Sequence, residues 1–222
     1  MPVQQLQQQG YARIPAVLSA AACEQLVTPL LQTTISGGTR CMLHQPWCAA
    51  LADGLRHHPV LQTLLGDNDH PVQCTYFEKS ASRNWLVSLH QDLSIPVRQR
   101  CNHPALSGWS AKEGMLFVQP PDSVLANMLA LRLHLDDCGE HDGALVVIPG
   151  SHTQGKQTTE QAIASREQQG QILCTAARGD IIAMRPLTLH ASSKSSGISQ
   201  RRVLHFLFGP RSLPFGLEWA SI

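Results

Sequence analysis

The chain has 222 residues, of which 43% are hydrophobic and 15% are charged. This composition is typical of a globular protein with one core, and it excludes a disordered chain and a coiled coil. Seventeen Lys and Arg residues against 16 Asp and Glu residues leave a formal charge of +1, without the basic excess that nucleic-acid binding requires. Because the sequence has neither a long apolar run nor a signal-peptide pattern, we expect one cytoplasmic domain without a membrane span.

Cysteine and histidine usage narrows the chemistry. The seven Cys residues are scattered and contain no C-x-x-C pair, which indicates reduced thiols and not a disulfide framework. Eleven His residues are many for this length, and histidine is both a common metal ligand and a proton carrier at neutral pH. The histidines are therefore the first residues to examine for function.

Residues 1–71 have the apolar spacing of helices. After Ser19, a candidate N-cap, apolar residues recur at helical spacing as far as Leu31, and they do so again between Trp47 and Leu64. We expect these helices to cover one side of the fold.

Residues 72–210 have the periodicity of a β core. Seven strand-like runs are separated by turn signals such as Asp142-Gly143, at 72–77, 85–91, 129–136, 144–148, 172–176, 180–184 and 201–208. Segment 93–124 interrupts them with four prolines and little periodicity, which predicts a lid-like insertion. Residues 158–169 form a predicted surface helix with a capping box at its start. The spacing predicts a β sandwich or barrel flanked by helices, within one domain over residues 1–222.

The pattern H-x-D occurs twice, at His90 and Asp92 and at His134 and Asp136. Residues i and i+2 of a strand project from the same face, so either pair could present an imidazole and a carboxylate to one metal ion. A second histidine would complete the 2-His-1-carboxylate set that binds non-haem iron(II). His190 is the candidate because it follows a strand-like run and precedes small polar residues. The pair at His90 is favoured, since the pair at His134 would leave too few strands between the ligands.

Two arginines follow the distal histidine at the start of the last strand. Alternation places Arg201 on the same face as His205, whereas Arg202 shares its face with apolar residues that would pack on the helices. Arg201 is therefore expected to point inward, where its guanidinium could bind a carboxylate.

A polar row on the strand at 129–136 is a further candidate. Arg132, His134 and Asp136 share one face, so Arg132 could bind a cosubstrate carboxylate or an acidic substrate, or the row could form a buried structural network. The charges at Arg98, Arg100 and Lys112 in the insertion are expected to be solvated or to assist an acidic substrate. On a regular strand Trp85 would project from the face opposite to that of His90, so it is expected in the core.

Two other motifs have weaker support. The stretch 150–156 matches G-x-x-x-x-G-K, but Gln157 stands where a phosphate-binding loop needs Ser or Thr. Cys138 and His141 have no second pair at zinc-finger spacing. We also find no G-x-S-x-G nucleophile motif, so a serine hydrolase is not indicated.

Several runs together resemble the phytanoyl-CoA dioxygenase family over roughly the whole chain. They are the stretches 84–92, 131–137 and 142–152, the tail from His190 to Arg201, and the opening Gly10-Tyr11-Ala12-Arg13-Ile14. The resemblance implies a mainly β protein with flanking helices, in which the core is a double-stranded β-helix, that is, a cupin-like jelly roll.

The resemblance also implies an activity. It implies an iron(II)- and 2-oxoglutarate-dependent dioxygenase that uses O2, hydroxylates an unactivated C–H bond of a small-molecule substrate and releases succinate and CO2. His90, Asp92 and His190 match the iron ligands, and Arg201 with Ser192 matches the group that binds the distal carboxylate of 2-oxoglutarate. Arg132 is the further candidate for cosubstrate binding. The carboxylate at Asp92 favours hydroxylation over halogenation. The alternative is a catalytically silent jelly roll that binds a metal or small molecule as a sensor.

Overall fold

The computed structural model describes residues 1–32, 39–67, 69–80, 83–197 and 200–221. Its helices are α1 (Pro2–Gln9), α2 (Ala20–Gln32), α3 (Pro46–Arg56), α4 (Asp122–Leu125) and α5 (Thr159–Gln169). Its strands are β1 (Tyr11–Ile14), β2 (Asp69–Lys79), β3 (Val87–His90), β4 (Ile95–Val97), β5 (Ser107–Lys112), β6 (Met115–Gln119), β7 (Leu129–His134), β8 (Leu145–Val147), β9 (Ile172–Cys174), β10 (Ile181–Met184), β11 (His190–Ser192) and β12 (Arg201–Pro210). Short 3-10 helices lie at Met42–His44, Leu61–Thr63, Glu140–Asp142 and Ser151–Gln154.

Two antiparallel sheets form the core of the fold. The larger sheet has five strands in the order β1-β10-β7-β12-β2, and the smaller has four in the order β3-β11-β8-β9. Strands that are distant in sequence become neighbours in each sheet, as β7 and β12 do. This arrangement confirms the predicted fold class, a mainly β jelly roll with flanking helices.

The outer face of the larger sheet is covered by the N-terminal helices. Leu129, Leu131 and Leu133 alternate along β7 toward this side and are fully buried. They share one hydrophobic cluster with helix residues such as Leu30 and Leu55. Burial of apolar side chains of this size is worth about 1.5–3 kcal/mol each, so this layer contributes much of the driving force for folding. The side chains on the other face of β7 therefore point to the interior between the two sheets.

The insertion at 93–124 is more regular than the sequence predicts. It forms a third, three-stranded sheet in the order β4-β6-β5, followed by α4. The turn between β5 and β6 consists of Glu113 and Gly114, both with positive φ (52° and 79°), which is the geometry of a tight two-residue hairpin. Pro96 lies in β4 at the edge of this sheet, where a missing N–H is tolerated. Short strands that contain Pro and Gly hide the alternation on which the sequence prediction depended.

Two other predicted elements can be compared with the structure. Helix α5 begins as predicted, because the Gln161 backbone N–H donates to Thr158 Oγ1 at 3.3 Å and the Thr158 N–H donates to Gln161 Oε1 at 2.8 Å. The N-terminal segment differs from the prediction, since it also contains β1, which pairs with β10 at the edge of the larger sheet. Among the described residues, no helix has the length and apolar character needed to span a bilayer.

Candidate active site

A cavity of about 380 Å³ lies between the two principal sheets. Its walls combine inward-facing side chains of β2, β7 and β12 with side chains of β3 and β11. This volume lies within the range of small-molecule sites. The polar lining includes His90, Asp92, Thr75, Gln73, Arg132, His190, Ser192, Arg201 and His205.

The structure brings His90, Asp92 and His190 together at one side of this cavity. β3 ends at His90 and β11 begins at His190, and the two residues are direct partners in the antiparallel pair. Asp92 follows the end of β3, where its backbone N–H donates to the Pro186 carbonyl oxygen at 3.0 Å. One ligand atom from each of the three side chains lies within 4.8 Å of the others. The spacing along the chain and the strand pairing therefore converge on one site.

Backbone hydrogen bonds set the orientation of both imidazoles. Nδ1 of His90 bonds the Ser88 carbonyl oxygen at 2.8 Å, and Nδ1 of His190 bonds the Thr188 carbonyl oxygen at 2.9 Å. Because a carbonyl can only accept, each Nδ1 carries a proton, and in the neutral ring this leaves the lone pair on Nε2. Metal-bound histidines usually donate their other ring N–H to a carbonyl or carboxylate oxygen in this way.

The electrostatics of the group suit a divalent cation. Burial alone would raise the pKa of Asp92, but His190, His205 and His90 outweigh it, so the pKa of this carboxyl is lowered. Burial lowers the pKa of His190 to about 4, although the Asp92 carboxylate opposes the shift. At neutral pH the site therefore offers a carboxylate and a neutral imidazole lone pair at His190. These protonation states are the ones that bind metal.

The donor set and its position fit iron(II). Asp92 Oδ1 lies 3.8 Å from His90 Nε2, and Asp92 Oδ2 lies 3.7 Å from His190 Nε2, so an ion could be bound by all three side chains with little movement. Two histidines and one carboxylate would leave coordination positions of such an ion free, and all three side chains line the cavity.

A cluster of cationic side chains lies at the same cavity wall: Arg132 and Arg201 line the cavity, and Lys79 lies next to the lining residue Ser192. Lys79 is fully buried, and its ammonium donates to Ser192 Oγ at 2.8 Å and to the Ser193 carbonyl oxygen. Arg201, which is Lys79's direct partner across β2 and β12, donates from Nη1 to the Gly143 carbonyl oxygen. The Ser192 hydroxyl, the ammonium and the guanidinium together form a site with the chemistry to bind a carboxylate.

Two of these cations have a buried polar atom that no described residue satisfies. The Nε atoms of Arg132 and Arg201 are buried without a hydrogen-bond partner in the described part of the chain. Burial, together with the charges of Arg201 and Arg132, lowers the pKa of Lys79 to about 8. Burial and the charge of Arg201 likewise lower the pKa of Arg132 to about 10. Burying several cations close together is costly, and an anionic ligand would relieve that cost.

His205 connects Arg132 to the metal-binding group. Arg132 Nη1 lies 3.1 Å from His205 Nδ1, and His205 Nε2 lies 3.7 Å from Asp92 Oδ2. The Phe77 ring contacts both side chains, with its centroid 6.0 Å from the imidazole and 5.5 Å from the guanidinium carbon. Burial, followed by the charge of Arg132, lowers the pKa of His205 to about 3, so this imidazole is neutral.

The second H-x-D pair lies outside the group at His90. Arg202 donates to Asp136 from Nε at 2.8 Å, from Nη2 at 2.6 Å and from its backbone N–H at 3.0 Å. His134 is 1% exposed, and burial lowers its pKa to about 3. Asp136 is thus engaged by a bidentate arginine, and it is outside the group of possible metal ligands found among the described residues.

The charged residues of the insertion have separate environments. Arg98 pairs with Glu218 at 2.8 Å on the surface, and Arg100 lies over the Trp109 ring at 5.1 Å. Lys112, at the end of β5, is part of the cavity lining. Only Lys112 of the three therefore reaches the site.

Trp85 lies in the cavity wall and not in the core, so the prediction from parity was wrong. The cause is an irregularity in β3. His190 pairs with His90, but Ser192 pairs with Val87, so three steps along β3 oppose two steps along β11. This bulge changes the parity of the strand before His90, and Trp85 and Val87 both face the cavity.

Sequence reasoning did not identify Lys79 and His205 as site residues. Both were detectable in principle from alternation, because Thr75, Phe77 and Lys79 share a face of β2, and His205 shares the face of Arg201 on β12. The predicted strand at 72–77 ended before Lys79, which hid its relation to Arg201.

Comparisons with known proteins identify the family and the fold. A family model for phytanoyl-CoA dioxygenase (PhyH) matches residues 6–203. Among curated proteins, none matches the chain in sequence.

Solved structures share the fold at low identity. The non-heme alpha-ketoglutarate-dependent epimerase SnoN from nogalamycin biosynthesis superposes with a TM-score of 0.72 at 15% identity, covering 97% of this chain and 83% of its own. HygX from Streptomyces hygroscopicus, with nickel, 2-oxoglutarate and hygromycin B bound, gives 0.67 at 16% identity, covering 99% and 95%. EctD from S. alaskensis in its apoform gives 0.68 at 18% identity, covering 97% and 80%.

The match to the family model spans most of the chain, and it includes the residues at His90, Asp92 and His190 and the arginine at Arg201. The sheet arrangement and the site geometry are consistent with it. This chain belongs to the phytanoyl-CoA dioxygenase family.

Proposed function

We propose that this protein is an iron(II)- and 2-oxoglutarate-dependent dioxygenase that hydroxylates a C–H bond of a small-molecule substrate. The observation that carries the proposal is the arrangement of His90, Asp92 and His190 at the wall of a cavity that is also lined by the buried guanidinium groups of Arg132 and Arg201. The metal group and the anion-binding group face the same space, as an enzyme that binds a metal and a keto acid together requires.

The chain's own residues have distinct roles in this proposal. His90 and His190 bind the metal through Nε2, and Asp92 binds it through its carboxylate. Arg201 and Ser192 bind the distal carboxylate of 2-oxoglutarate. When bound, iron(II) with 2-oxoglutarate supplies O2-dependent oxidation, and the cosubstrate leaves as succinate and CO2.

The structure suggests additional cosubstrate contacts. Lys79 donates to the Ser192 hydroxyl at 2.8 Å, so its ammonium lies close enough to reinforce the same carboxylate site. Arg132 is proposed to stabilise a second anionic group, either the inner carboxylate of 2-oxoglutarate or a group on the substrate. Both cations are almost fully buried, which strengthens their attraction for an anion.

The substrate is proposed to enter the same cavity from the side of the insertion. Phe117 and Lys112 of the insertion, together with Trp85, line the cavity. These side chains would orient the substrate and exclude water from the metal, as oxidation of an unactivated bond requires. We further propose that residues 1–222 form one cytoplasmic domain.

Hydroxylation is proposed as the reaction outcome. Proteins with this fold catalyse other reactions as well, since SnoN is described as an epimerase.

Anaerobic titration tests this function. Apo protein is titrated with iron(II) and then with 2-oxoglutarate, and visible absorption is recorded. A weak charge-transfer band that appears only with both ligands, followed by substrate-independent succinate release in air, is the expected result. Metal binding without the band or succinate would overturn the enzyme proposal and favour a silent metal-binding jelly roll.

A further inference from the structure

His205 occupies a position that the metal-binding group alone does not require. The side chain is 8% exposed and projects from β12 into the cavity, next to the carboxylate of Asp92. It is outside the set of three side chains whose ligand atoms lie within 4.8 Å of one another. Its Nε2 is nevertheless 3.7 Å from Asp92 Oδ2, the same distance that separates His190 Nε2 from this oxygen.

The contact with Arg132 fixes which nitrogen of His205 carries the proton. Arg132 Nη1 and His205 Nδ1 lie 3.1 Å apart, and the two residues are direct partners across β7 and β12. A guanidinium has only N–H donors, so Nδ1 of the imidazole must accept this bond. The proton of the neutral ring therefore resides on Nε2, the atom that faces Asp92.

The surroundings hold this pair in place. The Phe77 ring meets the imidazole edge to face, with an interplanar angle of 72°, and it lies under the Arg132 guanidinium. On the other side of β12, His205 is the register partner of Thr75. A buried ring with these neighbours has little freedom to turn its donor away from the carboxylate.

We propose that His205 is a positioning residue for the metal site. Its Nε2, kept as a donor by Arg132, lies 3.7 Å from Oδ2 of Asp92 and would restrain that oxygen when the carboxylate binds a metal. This inference rests on the proposed function, because it assigns His205 to the support of the same metal ligand. Hydrogen-bonded partners of metal-binding carboxylates tune affinity and geometry in this way.

The test uses Co(II) alone as the probe, with no 2-oxoglutarate, and compares His205→Leu with His205→Gln. The amide nitrogen of Gln can replace the Nε2 donor, whereas Leu keeps only bulk. We expect His205→Leu to weaken Co(II) binding by about 10- to 100-fold and His205→Gln by no more than about threefold. We also expect the visible Co(II) spectrum to change in His205→Leu and to be restored in His205→Gln, since only Leu frees both carboxylate oxygens.

Control variants separate this role from packing. His134→Leu removes another buried imidazole of the same β core that has no described contact with Asp92, and it should keep both Co(II) affinity and spectrum. If His205→Leu does not fold, His205→Asn takes its place, because the shorter amide does not reach the Nε2 position. Circular dichroism and thermal melting establish that each variant is folded before binding is measured.

The outcomes are distinguishable. Equal Co(II) affinity and spectrum in the parent protein and His205→Leu would overturn the positioning role and leave the proposed function intact. An equal loss in His205→Gln, or in His134→Leu, would also overturn it, because the loss would then reflect packing. A parent protein that binds no Co(II) would instead overturn the proposed function.

Discussion

The two H-x-D pairs have the same sequence pattern and different surroundings. Asp92 lies among three imidazoles, with its oxygens 3.7–3.8 Å from the nearest nitrogen of each. Asp136 is held by one guanidinium through both oxygens, with contacts of 2.6 and 2.8 Å. A carboxylate paired with a guanidinium through both oxygens would have to give up these bonds to bind a metal, whereas Asp92 has no such pairing to break in the described part of the chain.

The difference arises from where each pair lies in the sheets. The pair at Asp92 follows the end of β3, an edge strand of the smaller sheet that is paired with β11, so its side chains meet His190 across the strands. The pair at Asp136 follows the end of β7, the middle strand of the larger sheet, beside the start of β12, so its partner is Arg202. The lesson is that the element opposite a motif, and not the motif, decides its chemistry.

The largest expected effect separates the two carboxylates directly. Asp92→Ala removes a proposed metal ligand and should weaken iron(II) binding by more than the roughly 100-fold that loss of a supporting residue costs. Asp136→Ala should leave metal affinity unchanged, because its oxygens contact Arg202. Calorimetric titration of both apo variants with iron(II) under anaerobic conditions is the measurement. Metal loss in Asp136→Ala with retention in Asp92→Ala would mean that the metal belongs at the other pair.

The second-largest effect is expected at the other carboxylate, Asp136, and it concerns the stability of the fold instead of metal binding. Arg202→Ala leaves the Asp136 carboxylate, whose side chain is 10% exposed, without its partner. Removing one member of a buried pair costs about 3–5 kcal/mol of unfolding free energy. Urea unfolding should show this loss in Arg202→Ala. The double variant Arg202→Ala with Asp136→Ala should recover part of it, and a double variant as unstable as the sum of the single variants would contradict the pairing.

Sequence reasoning came close to the fold because the long strands keep a simple alternation. Along β7 the leucines face the helices and Arg132 faces the interior, as the sequence pattern indicates. The sequence prediction failed where strands are short or irregular. β4 contains Pro96, and β3 contains a bulge, and each removes the two-residue period on which a strand prediction rests.

The candidate site was predictable to the extent that its residues have a local pattern. Spacing selected His90, Asp92 and His190, and alternation separated Arg201 from Arg202, whose side chains the structure places on opposite faces of β12. The residues that sequence reasoning missed depend on pairing between strands distant in sequence. Lys79 meets Ser192 across 113 residues, and His205 meets Arg132 across 73. No local window contains such contacts.

The third effect concerns the anion-binding wall. Arg201→Ala removes a guanidinium proposed to bind 2-oxoglutarate, and a charged hydrogen bond of this kind is worth about 1.5–3 kcal/mol, or roughly 10- to 150-fold in affinity. Iron(II) binding should remain, because Arg201 is not a metal ligand in the proposal. Titration of the charge-transfer band with 2-oxoglutarate measures the change. An unchanged requirement in Arg201→Ala would move the cosubstrate contact to another residue.

The smallest effect is a pH dependence of 2-oxoglutarate binding. We expect it to come from Lys79 and not from the pair of Asp136 and Arg202. Because the pKa of Lys79 is lowered to about 8, the free protein loses this positive charge as the pH rises through 8, and an anionic ligand then binds less well. If the complex keeps the ammonium protonated, the apparent dissociation constant of 2-oxoglutarate should rise about tenfold between pH 7 and pH 9. The sign follows from the ligand, which favours the protonated amine and raises its pKa on binding.

Lys79→Met provides the control for this pH dependence. The variant keeps an unbranched side chain of similar length in the fully buried position but carries no charge, so its affinity for 2-oxoglutarate should be weaker at pH 7 and nearly constant up to pH 9. Arg202→Lys, on the other face of β12, should keep the full pH dependence of the parent protein. A slope that persists in Lys79→Met would assign the titration to a different group. A parent protein without any slope would mean that the Lys79 ammonium does not contribute to the carboxylate site, and that Arg201 and Ser192 bind the cosubstrate without it.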